Sequence, residues 1–312
     1  MPILIVGSVA LDSVKTPFGE ANDVLGGSAV FFAAAASHLA EDLHLVGVVG
    51  DDYPIGDLDF LAERGVSLEG LERSNGESFR WSGVYHYDLS SRDTLETRLG
   101  VFADFEPRIP DAARGADLVF LGNIDPRLQL QVLDQVESPA FVACDTMNFW
   151  IEGAREPLLE VLGRVDAVFV NDEEARQLAG ESNLLHAARW IRERGPRWVI
   201  VKKGEHGAIL FGEDSVFFAP GYPLEVIFDP TGAGDAFAGG FFGHLAAQGG
   251  DVSATALRRA VIYGSAMGSF AVEQFSVDRF RSLTEDEIAH RIGEFREMTS
   301  FERATSEVMD HG

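Results

Sequence analysis

Short runs of unbroken apolar residues recur along this chain, and they limit its fold more than any other feature. They are ILIVGSVA (3–10), LHLVGVVG (43–50), DLVFLG (117–122), PAFVACD (139–145), VDAVFVN (165–171) and PRWVIVKKG (196–204). A strand that is apolar at consecutive positions is buried on both faces. Only a sheet covered by helices on both sides buries strands in that way. The segments between the runs have helical patterns: 26–40 after a glycine turn, 54–65 stopped by Gly65, 126–136, 154–163 and 184–194. The expectation is an α/β fold, a doubly wound and mostly parallel sheet between two helical layers. The 312 residues show no linker, repeat or low-complexity tract, so the chain reads as a single domain over 1–312.

One segment departs from this pattern. In SFRWSGVYHYDL (78–89), Phe79, Trp81, Gly83, Tyr85, Tyr87 and Leu89 share one face. The other face is polar at Arg80, Ser82, His86 and Asp88, with Val84 the exception. Period-two alternation predicts a strand. SSRD (90–93) turns the chain, and TLETRLGV (94–101) puts Leu95, Leu99 and Val101 on one face. The result is an antiparallel hairpin whose aromatic side must cover a ligand, a partner subunit or the main domain. Near the C-terminus, 284–298 opens with a capping box, Thr284 and Glu287, and carries a stripe of Ile288, Ile292 and Phe295. It reads as a docked terminal helix, with the last ten or so residues fraying.

A net charge of −25 argues against nucleic acid and anionic membranes as partners. Lys15, Lys202 and Lys203 are the only lysines. Such an acidic, lysine-poor surface is one that a salt-rich habitat favours. No apolar run reaches the roughly 18 residues that span a bilayer. The opening MPILIVGSVALDSV lacks a positive leader, so a soluble cytoplasmic protein is expected. The single cysteine, Cys144, rules out an intramolecular disulfide and reads as a buried small hydrophobe. The eight histidines are scattered without metal-ligand spacing.

The chemistry centres on DPTGAGDAFAGGF (229–241). LEVIF before it is strand-like, DPTGAGD is turn material, and the remainder is helical with Phe237, Phe241 and Leu245 four residues apart. A glycine turn entering a helix leaves the amides of Gly232, Ala233 and Gly234 free to hold an anion. Asp235 in that first turn would repel the anion. Phosphoryl transfer needs both groups: amides for the phosphoryl charge and a carboxylate for the proton of the attacking hydroxyl. A helix cap is the plainer reading of the same acid. Rival glycine motifs fail. There is no G-x-x-x-x-G-K-[ST], and Phe237 stands where a dinucleotide fingerprint needs its third glycine.

These residues carry a resemblance. The stretch Asp229, Pro230, Thr231, Gly232, Ala233, Gly234, Asp235 resembles D-T-x-G-A-G-D of the ribokinase-like (pfkB) carbohydrate kinases, with a proline in its first part. GGSAVFF together with GVVGDDYPIGDLDFLAERGV (47–66) resembles that family's N-terminal signature through Gly26, Gly27, Gly50, Asp52, Gly56 and Gly65. NDEEARQL resembles its N-x-x-E motif through Asn171 and Glu174, and VIVKKGEHGAILF the strand pair before its nucleotide site. The resemblance covers nearly the whole chain. It implies ATP and Mg²⁺, with K⁺ as an activator in some members. Asp235 is then the base and Gly232, Ala233 and Gly234 the anion hole. Asn171 and Glu174 organise Mg²⁺ and phosphates through water, although the same pair reads equally well as a helix cap with a first-turn acid. Lys203, Gly204 and Thr231 fall near the nucleotide. Asp12, Gly26, Gly27, Ser28 and Phe31 fall at the acceptor, and Asp229 and Thr231 where a monovalent cation can sit.

Family sugar kinases carry asparagine where Ser28 and Phe31 stand. Ser28 still hydrogen-bonds a hydroxyl; Phe31 stacks on a sugar or base, or is core. Arg80, Arg92 and Arg98 pair on the surface or reach the substrate. The resemblance also implies a small antiparallel β lid, from about 12–24 and 78–102, that closes over the acceptor or clasps a second lid in a homodimer. The first functional reading is ATP-dependent phosphorylation of a sugar hydroxyl. A nucleoside kinase of the same fold is the second. A non-catalytic sugar-binding regulator is the alternative of another class.

Overall fold

A computed structural model describes residues 1–89 and 91–301. The strands in chain order are β1 (Ile3–Val6), β2 (Ala10–Thr16), β3 (Gly19–Gly26), β4 (Leu43–Val49), β5 (Val66–Arg73), β6 (Phe79–Tyr85) and β7 (Arg92–Arg98). They continue as β8 (Leu118–Leu121), β9 (Phe141–Asp145), β10 (Ala167–Asn171), β11 (Trp198–Lys202), β12 (Ala208–Phe211) and β13 (Val216–Ala219). Five helices matter below: α1 (Ser28–Ala36), α2 (Asp172–Ala179), α3 (Ala233–Ala247), α4 (Ala254–Ala271) and α5 (Glu285–Thr299).

Among the described residues the strands form two sheets. The larger has nine strands in the order β13-β12-β11-β10-β9-β8-β1-β4-β5. Its pairs from β5 to β11 are parallel, and β12 and β13 close one edge antiparallel. Its apolar runs are buried on both sides, as their composition requires. Ile3 and Ile5 enter one core with α1, α3 and α4. Leu4 and Val6 enter the other. On the first face a cluster of phenylalanines locks helix to sheet. Phe32 stacks on Phe120 at 4.9 Å, and Phe169 meets Phe241 edge-on at 5.2 Å. Such pairs add to the hydrophobic gain of burial. Cys144 is fully buried, and burial pushes its thiol up.

The expected helix over 54–65 is shorter, a 3₁₀ turn Ile55–Leu58 followed by Asp59–Ala62. Gly65, at φ 86°, ends it. The capping box of α5 forms as expected between Thr284 and Glu287. The expected fraying of the last ten or so residues falls almost wholly on 302–312, outside the described residues. Part of the expected turn at 90–93 falls on Ser90, also outside them.

The smaller sheet is the lid, ordered β3-β2-β6-β7. It is mixed rather than wholly antiparallel: β2 pairs β3 and β6 pairs β7 antiparallel, but β2 pairs β6 parallel. The chain leaves the body into β2, returns through β4 and β5, and leaves again into β6 from the same side. The two exits therefore run in the same direction. The hinge is tied at Asp52. Its Oδ1 accepts from the Ser78 N–H and hydroxyl, both at 2.7 Å, and its Oδ2 from Arg80 at 2.7 Å. Burial alone would raise the Asp52 carboxyl, but these hydrogen bonds outweigh it and hold it down at about 2. Arg80 also pairs with Asp23 on β3.

The aromatic face of the hairpin is divided. Phe79 stacks on Phe102 at 5.5 Å and Tyr85 is buried against the body. Tyr87 is 86% exposed and Leu95 66% exposed. A register shift between Ser82 and Gly83 breaks the alternation, and Tyr87 lies beyond the strand end.

Candidate active site

The parallel strands deliver their last residues to one edge of the sheet. β9 ends at Asp145, β10 at Asn171 and β11 at Lys202. Asn171 lies opposite Lys202, and Phe169 opposite Asp145. The carboxyl edge is where open α/β sheets place ligands. The N-terminus of α3 arrives at the same place. Gly232 caps it at φ 73°, and a Cβ there would lie 2.2 Å from the Phe31 ring, so glycine is required for both reasons. The Gly232 and Gly234 N–H groups find no acceptor among the described residues, whereas that of Ala233 leans on the Pro230 carbonyl at 3.3 Å. Two of the three expected anion-hole amides are therefore open.

Asp235 sits in the first turn of α3, partly buried. Burial pushes its carboxyl up to about 7, aided by Asp145 and opposed by Lys202 and Arg92. Asp12, on β2, is 5% exposed and lies so close to Gly26 that a Cβ there would meet its carboxylate at 2.1 Å. Burial, then Asp229 and Asp235, push it up to about 7 as well. Burial thus pushes both Asp12, on the lid side, and Asp235, at the helix, up toward neutrality.

The other sequence-selected residues divide. Asn171 and Glu174 form a reciprocal capping box on α2, both bonds at 2.7 Å. Glu174 is nevertheless buried and, chiefly by desolvation, pushed up to about 7 despite Lys202. Ser28 exchanges hydrogen bonds with Ser8, through Ser28 N–H at 3.0 Å and Ser8 N–H at 3.1 Å, so its hydroxyl clamps the start of α1. Phe31 is 2% exposed and supports the turn at Gly232 rather than opening onto the cleft. Lys203 opens the 3₁₀ turn Gly204–His206, its N–H bonded to the Gly207 carbonyl, and Gly204 sits in that turn at φ 54°. Asp229 is 1% exposed; Oδ1 accepts from Thr231 N–H at 2.9 Å and Oδ2 from Ser276 N–H at 3.3 Å.

Sequence reasoning missed three residues here. Lys202, the neighbour of Lys203, pairs with Asp145 at 2.6 Å. Tyr85 reaches across from the lid, its hydroxyl accepting from Thr231 Oγ1 at 3.3 Å and from Arg92 at 3.4 Å. Arg80 and Arg98 are engaged in ion pairs. Arg92 packs over Trp81 at 5.6 Å, and its charge acts on Asp12, Glu174 and Asp235. The available signal for Lys202 and Asp145 was a charge closing an apolar strand at the carboxyl edge.

Among the described residues no group of three or more His, Cys, Asp or Glu could hold a metal directly. Nor is any helix among them long and apolar enough to cross a membrane.

The family model of the pfkB family carbohydrate kinases matches residues 12–282. A cytidine kinase of Thermococcus kodakarensis is 29% identical over 246 residues, 77% of this chain and 87% of the relative. The structure of a nucleoside kinase of Burkholderia thailandensis in complex with inosine superposes with a TM-score of 0.74 at 22% identity, covering 94% of this chain and 98% of that one. A structure described as a putative ribokinase II of E. coli, with ATP and Mg²⁺, gives a TM-score of 0.77 at 20% identity, covering 94% and 99%. The match from Asp12 through the anion turn and on to Ser282 shows that the chain belongs to the pfkB family of carbohydrate kinases.

Proposed function

We propose that this protein is an ATP-dependent nucleoside kinase, the second of the three readings its sequence offers. The observation that carries kinase chemistry is the pairing at α3: open amides at Gly232 and Gly234 beside a carboxylate held near neutrality. The likeness to a cytidine kinase over 77% of the chain puts nucleosides ahead of simple sugars.

In this reading Asp12 accepts hydrogen bonds from the ribose hydroxyls. Asp235 takes the proton of the attacking hydroxyl as its oxygen bonds to the γ-phosphorus of ATP and the bond to the ADP oxygen breaks. The Gly232 and Gly234 amides hold the charge on the transferring group. Tyr85 draws the lid onto the anion turn and keeps out water, the competing acceptor. Glu174 has a carboxylate oxygen outside the capping box and Asn171 sits beside it, which suits a Mg²⁺ ion held through water. If bound there, Mg²⁺ would supply neutralisation of phosphate charge. Each Asp229 oxygen accepts one backbone N–H and keeps further lone-pair capacity, so Asp229 and Thr231 would still fit a monovalent cation.

The test is an ADP-release screen over cytidine, inosine, adenosine, ribose, fructose and ribose 1-phosphate. The reading expects the highest kcat/KM with a nucleoside. Turnover confined to sugars or sugar phosphates would remove the nucleoside, and no turnover with any acceptor would remove the kinase.

A further inference from the structure

The ion pair beneath the anion turn is more than a structural tie. Lys202 and Asp145 end β11 and β9, the two apolar strands that flank β10, with side chains 17% and 5% exposed. Burying two charges is costly, and an apolar pair of similar volume would hold the strands at least as well. Packing therefore does not account for them. Their position is informative. Nζ of Lys202 lies 3.0 Å from the point a Cβ on Gly234 would occupy, directly against the anion turn. An ammonium has three donors. Asp145 takes one at 2.6 Å, and no other acceptor for Nζ occurs among the described residues. Two N–H donors of a buried cation are thus left beside two open backbone amides.

We propose that Lys202 is a further catalytic residue of the transfer site, held in place by Asp145, whose free N–H donors bind the non-bridging oxygens of the transferring phosphoryl group. This rests on the kinase reading above. Lys202 keeps its proton throughout: the acceptor oxygen bonds to phosphorus, the bond to ADP breaks, and the proton goes to Asp235. Lys202 gives the amides a full positive charge where the loose transition state spreads its negative charge. Asp145 is the positioning residue.

The same charge acts on the base. Asp235 is faced by Asp145 from β9, Lys202 from β11, Arg92 from β7 and Asp12 from β2. Lys202 and Arg92 favour its ionised form, and the two carboxylates oppose it. Removing Lys202 should therefore move the rising limb of the kcat–pH profile to higher pH.

The experiment compares wild type, Lys202→Met and Lys202→Met/Asp145→Asn, using the best acceptor of the screen. The double variant strands no buried charge, and circular dichroism and Tm verify its fold. Expected in both variants is a loss in kcat of roughly 10²-fold, with acceptor KM changed little. Lys202→Met also shifts the rising limb upward. The proposal is overturned if the double variant regains wild-type kcat, because the single-variant loss then came from a stranded Asp145. It is equally overturned if Lys202→Met keeps wild-type kcat. Failure of the kinase reading would look different: wild type itself would release no ADP with any acceptor.

Discussion

At the scale of single residues, the cleft holds charges that the fold alone would not choose. Asp12 is 5% exposed and raised to about 7. A carboxyl raised in the folded state contributes stability below its unfolded pKa of ~4 and loses it as pH climbs through the folded value. At pH 8 Asp12 is a destabilising charge kept for the acceptor. Asp12→Asn should therefore raise Tm at pH 8, leave it nearly unchanged at pH 4, and weaken acceptor binding. A Tm that falls at pH 8 would show the carboxylate to be a structural group. Phe31 leads to a different expectation. Its ring supports Gly232, so Phe31→Ala should cost about 3–5 kcal/mol of stability, as buried Phe→Ala changes do. It should also loosen the turn, raising KM for ATP as well as for the acceptor. Denaturant unfolding and two-substrate kinetics check both. If only acceptor KM rises, Phe31 faces the acceptor after all.

Residue-level legibility followed locality. Gly232, Gly234 and Asp235 announce an anion turn because strand, turn and helix are contiguous in the chain. The place of Phe31 was hidden. All nine residues of α1 are buried, so no apolar stripe marks which side meets the cleft. Lys202 and Asp145 were hidden because their meeting depends on the register of β9, β10 and β11, far apart in sequence.

At the scale of elements, two of the ties that join the lid to the body are the Asp52–Ser78–Arg80 hinge and the Tyr85–Thr231 contact. The second contact should help closure. Tyr85→Phe removes a hydrogen bond worth on the order of 1 kcal/mol. It should lower kcat a few-fold and raise ADP release in the absence of acceptor, because water then enters. Unchanged acceptor-free ADP release would mean that Tyr85 plays no part in excluding water. The strands of the body were legible as apolar runs, and β6 and β7 as an alternating hairpin. The parallel pairing of β2 with β6 was not, because no local pattern specifies a partner on the far side of β4 and β5.

At the scale of the molecule, two surface properties stand out. A net charge of −25 repels itself in the compact state, and salt screens that repulsion. Tm should rise as NaCl is raised from low ionic strength; a steady fall would remove the salt-adapted reading of the composition. The lid also exposes Tyr87 and Leu95, which a homodimer formed by two lids would cover. Sedimentation of Tyr87→Ser/Leu95→Ser should then show the mass of one chain where wild type shows two. Wild type at the mass of one chain would leave those side chains without that role.

The proposed phosphoryl transfer turns on Asp235 beside the amides of Gly232 and Gly234. The most direct test is steady-state turnover of Asp235→Asn across pH 5.5–9, beside its affinity for ADP. Wild-type kcat should rise with pH to a plateau as a carboxyl near 7 ionises. The variant should lose roughly 10²- to 10⁴-fold in kcat, bind ADP much as wild type does, and show no such rise. Near wild-type turnover with the same pH profile would contradict the account.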